Sequence, residues 1–421
     1  MGQGMTRREF LHRGLTIVAM TATAPSFLTR TALALTNPWD APLVASAPGV
    51  PDDRVLVVVQ MGGGNDGLNT VVPYADDAYY RARPRLAVPR QQVIRLTDEV
   101  GLHPRMARFK ELYDRGSAAI IQGVGYPNPS RSHFRAMEIW HTADPEGRGL
   151  RVGWIGRYFD SNCPVCEQPT VGVNVGPSLP LALRSAGGQG VTLETPETFQ
   201  WMPSREGMGA REELELFRML NAPAPNEPGT IDFLRHTAMN AVLASEQVRD
   251  ALRKYRGGIE YPNHRFAAQL RLVAQMIAGG LPTKVYYTHM TGFDTHANQQ
   301  GTHDTLLEQL STGVEAFYRD LEAQGNAERV VVMAFSEFGR RVAENGSAGT
   351  DHGTAAPVFV FGRAIRPGLH GRQPSLTDLV DGDLKHHVDF RAVYATLLDR
   401  WLGADPVRIL GAEFERLSFL A

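Results

Sequence analysis

Five consecutive aliphatic residues, at positions 55–59, follow the charged stretch 52–54. A continuous apolar run of this length is typical of a strand that is buried on both faces, as in parallel sheets that helices cover on both sides. Comparable runs recur along the chain and alternate with helical patterns. Together they predict an α/β fold, a sandwich with a mostly parallel central sheet. The further strand runs are 118–122, 285–288, 329–335 and 357–361.

The clearest helical pattern covers residues 302–324, where apolar residues recur at intervals of three and four. Gly325 follows it and can cap its end. A shorter helix is predicted over 104–113, with proline at its start. Asp389 can act as the N-cap of a last helix, which has its aromatic and aliphatic residues on one face.

The middle of the chain, at about 140–280, has a different composition. It is rich in glycine, proline and polar residues up to Pro228, and two helical stretches follow at 230–255 and 264–278. We therefore expect a single α/β domain over residues 35–421, with a helical insertion in this middle segment.

The N-terminus has the three parts of a secretory signal. Residues 6–11 read Thr-Arg-Arg-Glu-Phe-Leu, a mostly apolar stretch covers 14–28, and Ala-Leu-Ala at 32–34 is a candidate cleavage site. Paired arginines before Phe-Leu are typical of a twin-arginine signal. The apolar stretch is shorter than the ~20 residues that span a bilayer, and no later run is apolar enough to do so. We expect removal of residues 1–34 and export of the folded protein to the periplasm or the medium.

Charge and cysteine content narrow the function classes. The full chain has a net charge of −2. Cleavage of the signal removes more positive than negative charge, so the mature chain is more acidic. This balance argues against a nucleic-acid-binding protein, which is usually basic. Cys163 and Cys166 are the two cysteines. In an oxidising compartment they are expected to form a small disulfide, with a redox-active pair as the alternative.

Polar clusters stand where the predicted strands end or begin. Ligands of open α/β sheets bind at the carboxyl ends of strands. Carboxylates and histidines that meet there can form a metal site or an acid–base site. The clusters are Gly-Gly-Gly-Asn-Asp-Gly at 62–67, Asn-Pro-Ser-Arg-Ser-His-Phe at 128–134, Gly-Phe-Asp-Thr-His at 292–296, Ser-Glu-Phe-Gly-Arg-Arg at 336–341 and Thr-Asp-His-Gly at 350–353.

The glycine cluster has two interpretations. It matches the G-x-G-x-x-G pattern of dinucleotide-binding proteins, which would indicate an oxidoreductase. However, the acidic residue expected about 20 positions later is missing, and Pro73 disfavours a long helix directly after the glycines. The alternative is a tight loop whose glycines let the backbone approach a ligand, with Asp66 directed into the pocket.

Ser132 stands at the predicted start of a helix that runs to Trp140. It is either an ordinary N-cap or a nucleophile at a point where helix N–H groups stabilise an anion. Arg131 and Arg135 could hold anionic oxygens. His133 could orient the serine or cap the helix.

Asp294 and His296 are two residues apart, so in an extended segment they project to the same side, as paired metal ligands must. Glu337 begins where a strand run ends, and His352 precedes the last run. Each also has an ordinary interpretation: a solvated loop pair, an ion-pair partner of a nearby arginine, or a loop histidine bonded to backbone. We interpret these residues and the loop aspartate as the ligands of a divalent metal ion: Asp66, Asp294, His296, Glu337 and His352.

The five clusters taken together resemble the bacterial family of unknown function DUF1501, from about residue 54 to the C-terminus. That family is similar to the alkaline phosphatase and sulfatase superfamily, in which aspartates and histidines hold one or two metals over an esterified phosphate or sulfate. The resemblance implies that Asp66 matches the first-strand aspartate, that Ser132, or Ser130, is the nucleophile, and that His352 matches the last histidine ligand.

Two departures from that pattern affect the expected ligands. Asp294 and His296 have one residue between them instead of three, and Ser336-Glu337 stands where the superfamily has Asp-His. Two-metal, single-metal and metal-free sites therefore remain open. The function implied is an exported hydrolase of phosphate or sulfate esters, acting on a small molecule or a polymer. The alternative is a non-catalytic envelope or binding protein with an eroded site.

Overall fold

The computed structural model describes residues 53–162, 169–187, 190–197, 199, 209–221 and 229–420. In this part of the chain the main sheet has nine strands. Their order across the sheet is β8-β2-β7-β6-β1-β5-β3-β4, and β9 pairs with β2 as well. The strands are β1 (Val55–Gly62), β2 (Ala118–Gly125), β3 (Gly172–Val175), β4 (Val191–Leu193), β5 (Val285–Thr291), β6 (Val330–Phe335), β7 (Ala356–Phe361), β8 (Gly368–His370) and β9 (Val388–Asp389).

The sheet is parallel except for β7, which runs antiparallel to both β6 and β2. The central strand β1 pairs in parallel with β5 on one side and with β6 on the other. All residues of β6 are buried, as are the first five of β1. This matches the continuous apolar runs in the sequence. The mostly parallel α/β fold predicted from those runs is confirmed.

Helices cover both faces of the sheet and bury alternate residues of each strand. Val57 and Val59 of β1 point into one core, while Leu56 and Val58 point into the other. The first core packs against α3 (Ala107–Asp114), α6 (Ala210–Leu220), α7 (Gly229–Lys254), α8 (Arg265–Ala278) and α9 (Gln299–Ala323). The second packs against α4 (His133–Thr142), α5 (Trp154–Asn162), α10 (Phe390–Thr396) and α11 (Pro406–Leu410).

The remaining elements are short. Helix α1 covers Gly67–Thr70 and α2 covers Asp77–Ala82. One 3-10 turn directly precedes α3, one π turn directly follows α10, and two further 3-10 turns lie in loops. Small sheets of two-residue strands lie beside the main one. No helix of the described residues is long and apolar enough to cross a membrane. The short segments are the strands Val71–Val72, Ile94–Arg95, Gly101–Leu102, Leu379–Val380 and Asp383–Leu384, the 3-10 turns Pro104–Met106, Leu181–Leu183 and Ala327–Arg329, and the π turn Leu397–Trp401.

The middle segment differs from the helical insertion expected at about 140–280. Its strands β3 and β4 extend the main sheet beyond β5, and its helix α8 packs on one face of that sheet. Both strands are very short and contain a polar residue, so their apolar pattern is weak. The N-terminal signal, Cys163 and Cys166 lie outside the described residues.

Candidate active site

The polar clusters meet at the C-terminal ends of strands β1, β5 and β6. Because β7 runs in the opposite direction, the residues before it reach the same end of the sheet. Arg340 and His352 form an antiparallel bridge there, which joins the segment after β6 to the segment before β7. Because β7 is antiparallel, the cluster at 350–353, which precedes β7, lies beside the clusters that follow β1, β5 and β6.

The glycine loop after β1 lets two segments touch. Gly63 has a φ of 121°, and a Cβ at this position would lie 2.4 Å from the backbone nitrogen of Asp294. A side chain would therefore separate the ends of β1 and β5. The helix that follows, α1, has four residues. This geometry agrees with the tight-loop interpretation and not with a dinucleotide-binding helix.

Asp294 is the centre of the cluster. Its Oδ1 lies 3.1 Å from Nε2 of both His296 and His352, and its Oδ2 lies 3.4 Å from Nε2 of His133. Arg340 donates to Oδ1 at 2.7 Å. Burial raises the pKa of Asp294, but the hydrogen bond and the charge of Arg340 outweigh burial and bring the pKa down to about 2. The carboxylate is therefore ionised at neutral pH.

Each of the three histidines is held through its Nδ1 atom by an oxygen that can only accept. His133 Nδ1 lies 2.8 Å from Glu337 Oε1, and His296 Nδ1 lies 3.2 Å from Asp351 Oδ1. His352 Nδ1 lies 2.8 Å from the backbone carbonyl of Arg131. These contacts place a proton on each Nδ1 and leave the lone pair of each neutral ring on Nε2. Histidines that bind metals are oriented by the same kind of contact.

Three donor atoms form a group that fits a metal ion. One atom each from His133, Asp294 and His352 lies within 4.8 Å of the other two. The Nε2 of His133 is buried and has no hydrogen-bond partner among the described residues. Two imidazoles and a carboxylate are a donor set that zinc and related transition metals accept. The residues present therefore fit a divalent cation.

Glu337 stands behind His133, in contrast to the ligand role expected for it. Its Oε1 accepts hydrogen bonds from His133 and from the backbone N–H of Gly63, and its Oε2 accepts one from Ser336. It is 2% exposed. The bond to Glu337 raises the pKa of His133, because a carboxylate favours the charged ring, while burial acts against it.

Asp66 also differs from its expected role as a ligand. Its carboxylate is fully buried in an ion pair with Arg83 at 2.6 Å and accepts from Gln299 at 2.5 Å. It also caps α1 through Asn69. Burial raises its pKa, and the charge of Arg83 outweighs burial and lowers it. Both carboxylate oxygens of Asp66 thus already accept hydrogen bonds from other residues of the protein.

Ser132 is the N-cap residue of α4, and the start of this helix agrees with the prediction. Its hydroxyl makes no capping hydrogen bond, which is unlike an ordinary N-cap serine. The residues on both sides belong to the cluster, since His133 faces Asp294 and the carbonyl of Arg131 accepts from His352. Ser132 is exposed, so its hydroxyl is accessible to a substrate.

The two arginines expected to hold anionic oxygens are paired elsewhere. The guanidinium of Arg131 binds the buried carboxylate of Asp383. Arg135 donates to Glu138 at 2.7 Å, one turn along the same helix. Instead, the buried Arg340 reaches the cluster. It donates to Asp294 and to backbone carbonyls of the loops around it, those of Gly63, Gly64, Phe293 and Thr350.

Some residues of the site were not expected from the sequence. Asp351 holds His296, and the only signal for it is its place beside His352 in the Asp-His-Gly cluster. Gln60 and His141 line a cleft of about 450 Å³ that opens beside the cluster. Neither stands in a recognisable motif, because one is the sixth residue of a strand and the other lies in the last turn of a helix.

Comparisons with known proteins were made against families, curated proteins and solved structures. No curated protein matches the sequence. Similar solved structures include a protein of the alkaline phosphatase superfamily from Vibrio parahaemolyticus, with 8% identity over 92% of this chain and 75% of that chain and a TM-score of 0.39. The C-terminal periplasmic domain of EcEptC from Escherichia coli has 11% identity over 88% and 90%, with a TM-score of 0.39. The PsFucS1 sulfatase from Pseudoalteromonas sp. has 10% identity over 85% and 68%, with a TM-score of 0.36.

The family comparison covers the part of the chain that contains Asp294, His296, Glu337 and His352. Residues 213–417 match the model of the family described as "Protein of unknown function (DUF1501)". The resemblance to DUF1501 that the motifs indicate is thereby confirmed over residues 213–417 of this chain.

Proposed function

We propose that this protein is a hydrolase of phosphate or sulfate esters that is assisted by a divalent cation. One observation carries the proposal: three histidines turn Nε2 towards Asp294 while an oxygen acceptor holds each Nδ1. The buried, unpartnered Nε2 of His133 is part of this arrangement. A polar atom in that state costs free energy unless a partner binds it.

His133, Asp294 and His352 would hold the cation, with His296 beside them. When bound, a divalent cation supplies positive charge next to the transferring group and lowers the pKa of a nearby hydroxyl. Arg340 keeps Asp294 ionised, and Glu337 and Asp351 fix the orientation of His133 and His296.

Ser132 is the proposed nucleophile. Its Oγ attacks the phosphorus or sulfur atom, the bond from that atom to the alcohol oxygen breaks, and the alcohol leaves with a proton from solvent. The proton of the serine hydroxyl passes to water, because the side chain is exposed. Water then hydrolyses the serine ester, which releases phosphate or sulfate and restores the hydroxyl. The N–H groups at the start of α4 are placed to stabilise anionic oxygens.

Export is the second part of the proposal. Arg7 and Arg8, followed by Phe-Leu and a short apolar stretch, indicate a twin-arginine signal. A protein that is exported folded can take its cation before it crosses the membrane. The proposed location of the mature protein is the periplasm or the medium.

The test is elemental analysis of the purified protein together with a panel of phosphate and sulfate esters. We expect a bound divalent metal and hydrolysis of at least one ester class. His133→Ala and His352→Ala should each remove the metal and the activity. His370→Ala, which changes a half-buried histidine on strand β8, is the matched control and should retain both.

A non-catalytic binding protein is the second candidate. The ion pair between Asp66 and Arg83 favours it, since this pair withdraws one expected ligand from the site. Metal-free protein without activity on any ester of the panel would support this candidate and contradict the hydrolase.

A further inference from the structure

The cleft beside the cluster extends along α4, away from Asp294 and Glu337. Its volume of about 450 Å³ is larger than the space that a phosphate or sulfate group alone needs. The remaining part therefore has room for the organic half of an ester. Its lining shows which chemistry this organic half must have.

One wall of the cleft is apolar. Phe134, in the first turn of α4, is 92% exposed, and Met137 and Leu181 lie on the same cleft. A single exposed apolar side chain is ordinary in a soluble protein. Here the aromatic ring directly follows His133 and lines the cleft while it remains almost fully exposed. It offers a flat apolar surface to a ligand whose reacting group lies at the cluster.

The floor of the cleft presents an oriented amide. The Oε1 of Gln60 accepts from the hydroxyl of Tyr287 at 2.6 Å and lies 3.0 Å from Nε2 of His141. Burial raises the pKa of Tyr287, which remains a donor, and lowers the pKa of His141 to about 3, which keeps that ring neutral. Because Oε1 is held from two sides, the Nε2 group of Gln60 is left as a donor in the cleft beside Gly62.

The carboxylates of the cleft already have partners. Glu138 is paired with Arg135 and Asp294 with Arg340, while the buried Glu337 accepts hydrogen bonds from His133, Gly63 and Ser336. No lysine or arginine is among the described residues that line the cleft. A second anionic group on the ligand would find no free cation, and a cationic group would find no free carboxylate.

We propose that the organic half of the ester is an uncharged carbohydrate ring. One apolar face of the ring packs against Phe134, and a hydroxyl accepts a hydrogen bond from Nε2 of Gln60. A sugar combines apolar C–H faces with neutral hydroxyls, which is the combination that this cleft can satisfy. The inference rests on the proposed ester hydrolase and defines the substrate class of that site.

The test compares esters of three primary alcohols that carry the same reacting group. Glucose 6-phosphate or 6-sulfate is compared with the ethyl ester and the choline ester of the same acid. For the wild type we expect kcat/KM at least about tenfold higher for the glucose ester than for the ethyl ester. Phe134→Ala and Gln60→Met should each reduce the ratio of kcat/KM between the glucose and the ethyl ester about tenfold.

Two further variants control the test. Phe134→Trp keeps an aromatic surface and should retain the preference. Met219→Ala removes another exposed apolar side chain, which is 70% exposed on α6, and should change nothing. Folding is not in question for Phe134→Ala, because the side chain is almost fully exposed.

The outcomes separate this inference from the proposed function. Hydrolysis with equal kcat/KM for the glucose and ethyl esters, or with a preference for the choline ester, overturns the carbohydrate inference alone. Hydrolysis of no ester overturns the proposed function. In that case saturation-transfer NMR with methyl glucoside decides: binding that is lost in Phe134→Ala supports the subsite, and absence of binding overturns it.

Discussion

The Nε2 atoms of His296 and His352 lie 2.9 Å apart. The Nδ1 atom of each ring faces an oxygen acceptor, so in the neutral rings both Nε2 atoms carry lone pairs. Two lone pairs at this distance repel unless a proton or a cation lies between them. The site is therefore built to bind positive charge at this point, and a metal ion competes with a proton for it.

The carboxylate of Glu337 should control metal affinity through His133, although it is not itself placed as a ligand. Glu337→Gln removes the charge that orients and polarises the ring, and we expect about tenfold weaker zinc binding. Titration against a chelator measures this. Glu138→Gln alters a carboxylate of the same cleft that pairs with Arg135, and it should bind zinc as the wild type does. Equal affinity in all three proteins would contradict the supporting role of Glu337.

Ser132→Ala should abolish ester hydrolysis and leave the metal content unchanged. The nucleophile is lost while the ligand atoms stay in place, so kcat should fall by about a thousandfold or more. Ser130→Ala is the control, since the Ser130 hydroxyl accepts from the backbone N–H of Ser132 and is the alternative nucleophile. Loss of activity in Ser130→Ala, with activity retained in Ser132→Ala, would transfer the role to Ser130.

The buried pair of Asp66 and Arg83 should contribute to stability. Arg83→Met leaves the Asp66 carboxylate without its charged partner, and breaking such a pair costs about 3–5 kcal/mol of unfolding free energy. Urea denaturation measures this cost. Arg90→Met breaks an exposed pair with Asp77 and should cost at most about 1 kcal/mol. Similar values for the two variants would mean that the buried pair is not what stabilises this region.

His303 should make the protein less stable in mild acid. It is 1% exposed, and burial brings its pKa down to about 4, whereas the unfolded chain has a value near 6.5. Between these values the unfolded chain binds more protons, so stability is full above pH 6.5 and falls as pH falls towards 4. The loss should reach about 3 kcal/mol.

The variant His303→Gln isolates this contribution. Its amide can still donate to Asn65, which His303 contacts through Nε2, but it cannot titrate. The difference in unfolding free energy between pH 7 and pH 4.5 should therefore be smaller than in the wild type. Thr305→Ala, at an exposed position of the same helix, should keep the wild-type pH dependence. An unchanged pH dependence in His303→Gln would refute the assignment.

Replacement of both Arg7 and Arg8 by lysine should hold the precursor in the cytoplasm. Twin-arginine transport requires the arginine pair, whereas ordinary secretion accepts lysine. Cell fractionation and N-terminal sequencing measure export and cleavage near residue 34. Arg13→Lys changes an arginine outside the pair and should be exported normally. Normal export of the double variant would rule out the twin-arginine assignment.

The strands of the core could be predicted from the sequence because burial on both faces gives continuous apolar runs. Strands β3 and β4 could not, since Asn174 and Thr192 interrupt their short runs. The meeting of Asp294, His296 and His352 could be predicted from the position of each cluster beside a strand. What local sequence cannot show is the partner of a side chain. Asp66 is paired with Arg83, which directly follows the next helix, and Glu337 with His133, 204 positions away.

The pairing of β1 has a consequence for the order of events during synthesis. Leu56 is in register with Val285, and Val55 with Val330, so the central strand has no neighbour in the main sheet until more than 200 further residues have left the ribosome. Contacts of such separation close slowly, because the loop entropy must be lost first. The first strand is thus an aliphatic segment that remains unpaired, and accessible to chaperones, during most of translation. The cluster around Asp294 can assemble only when translation is almost complete.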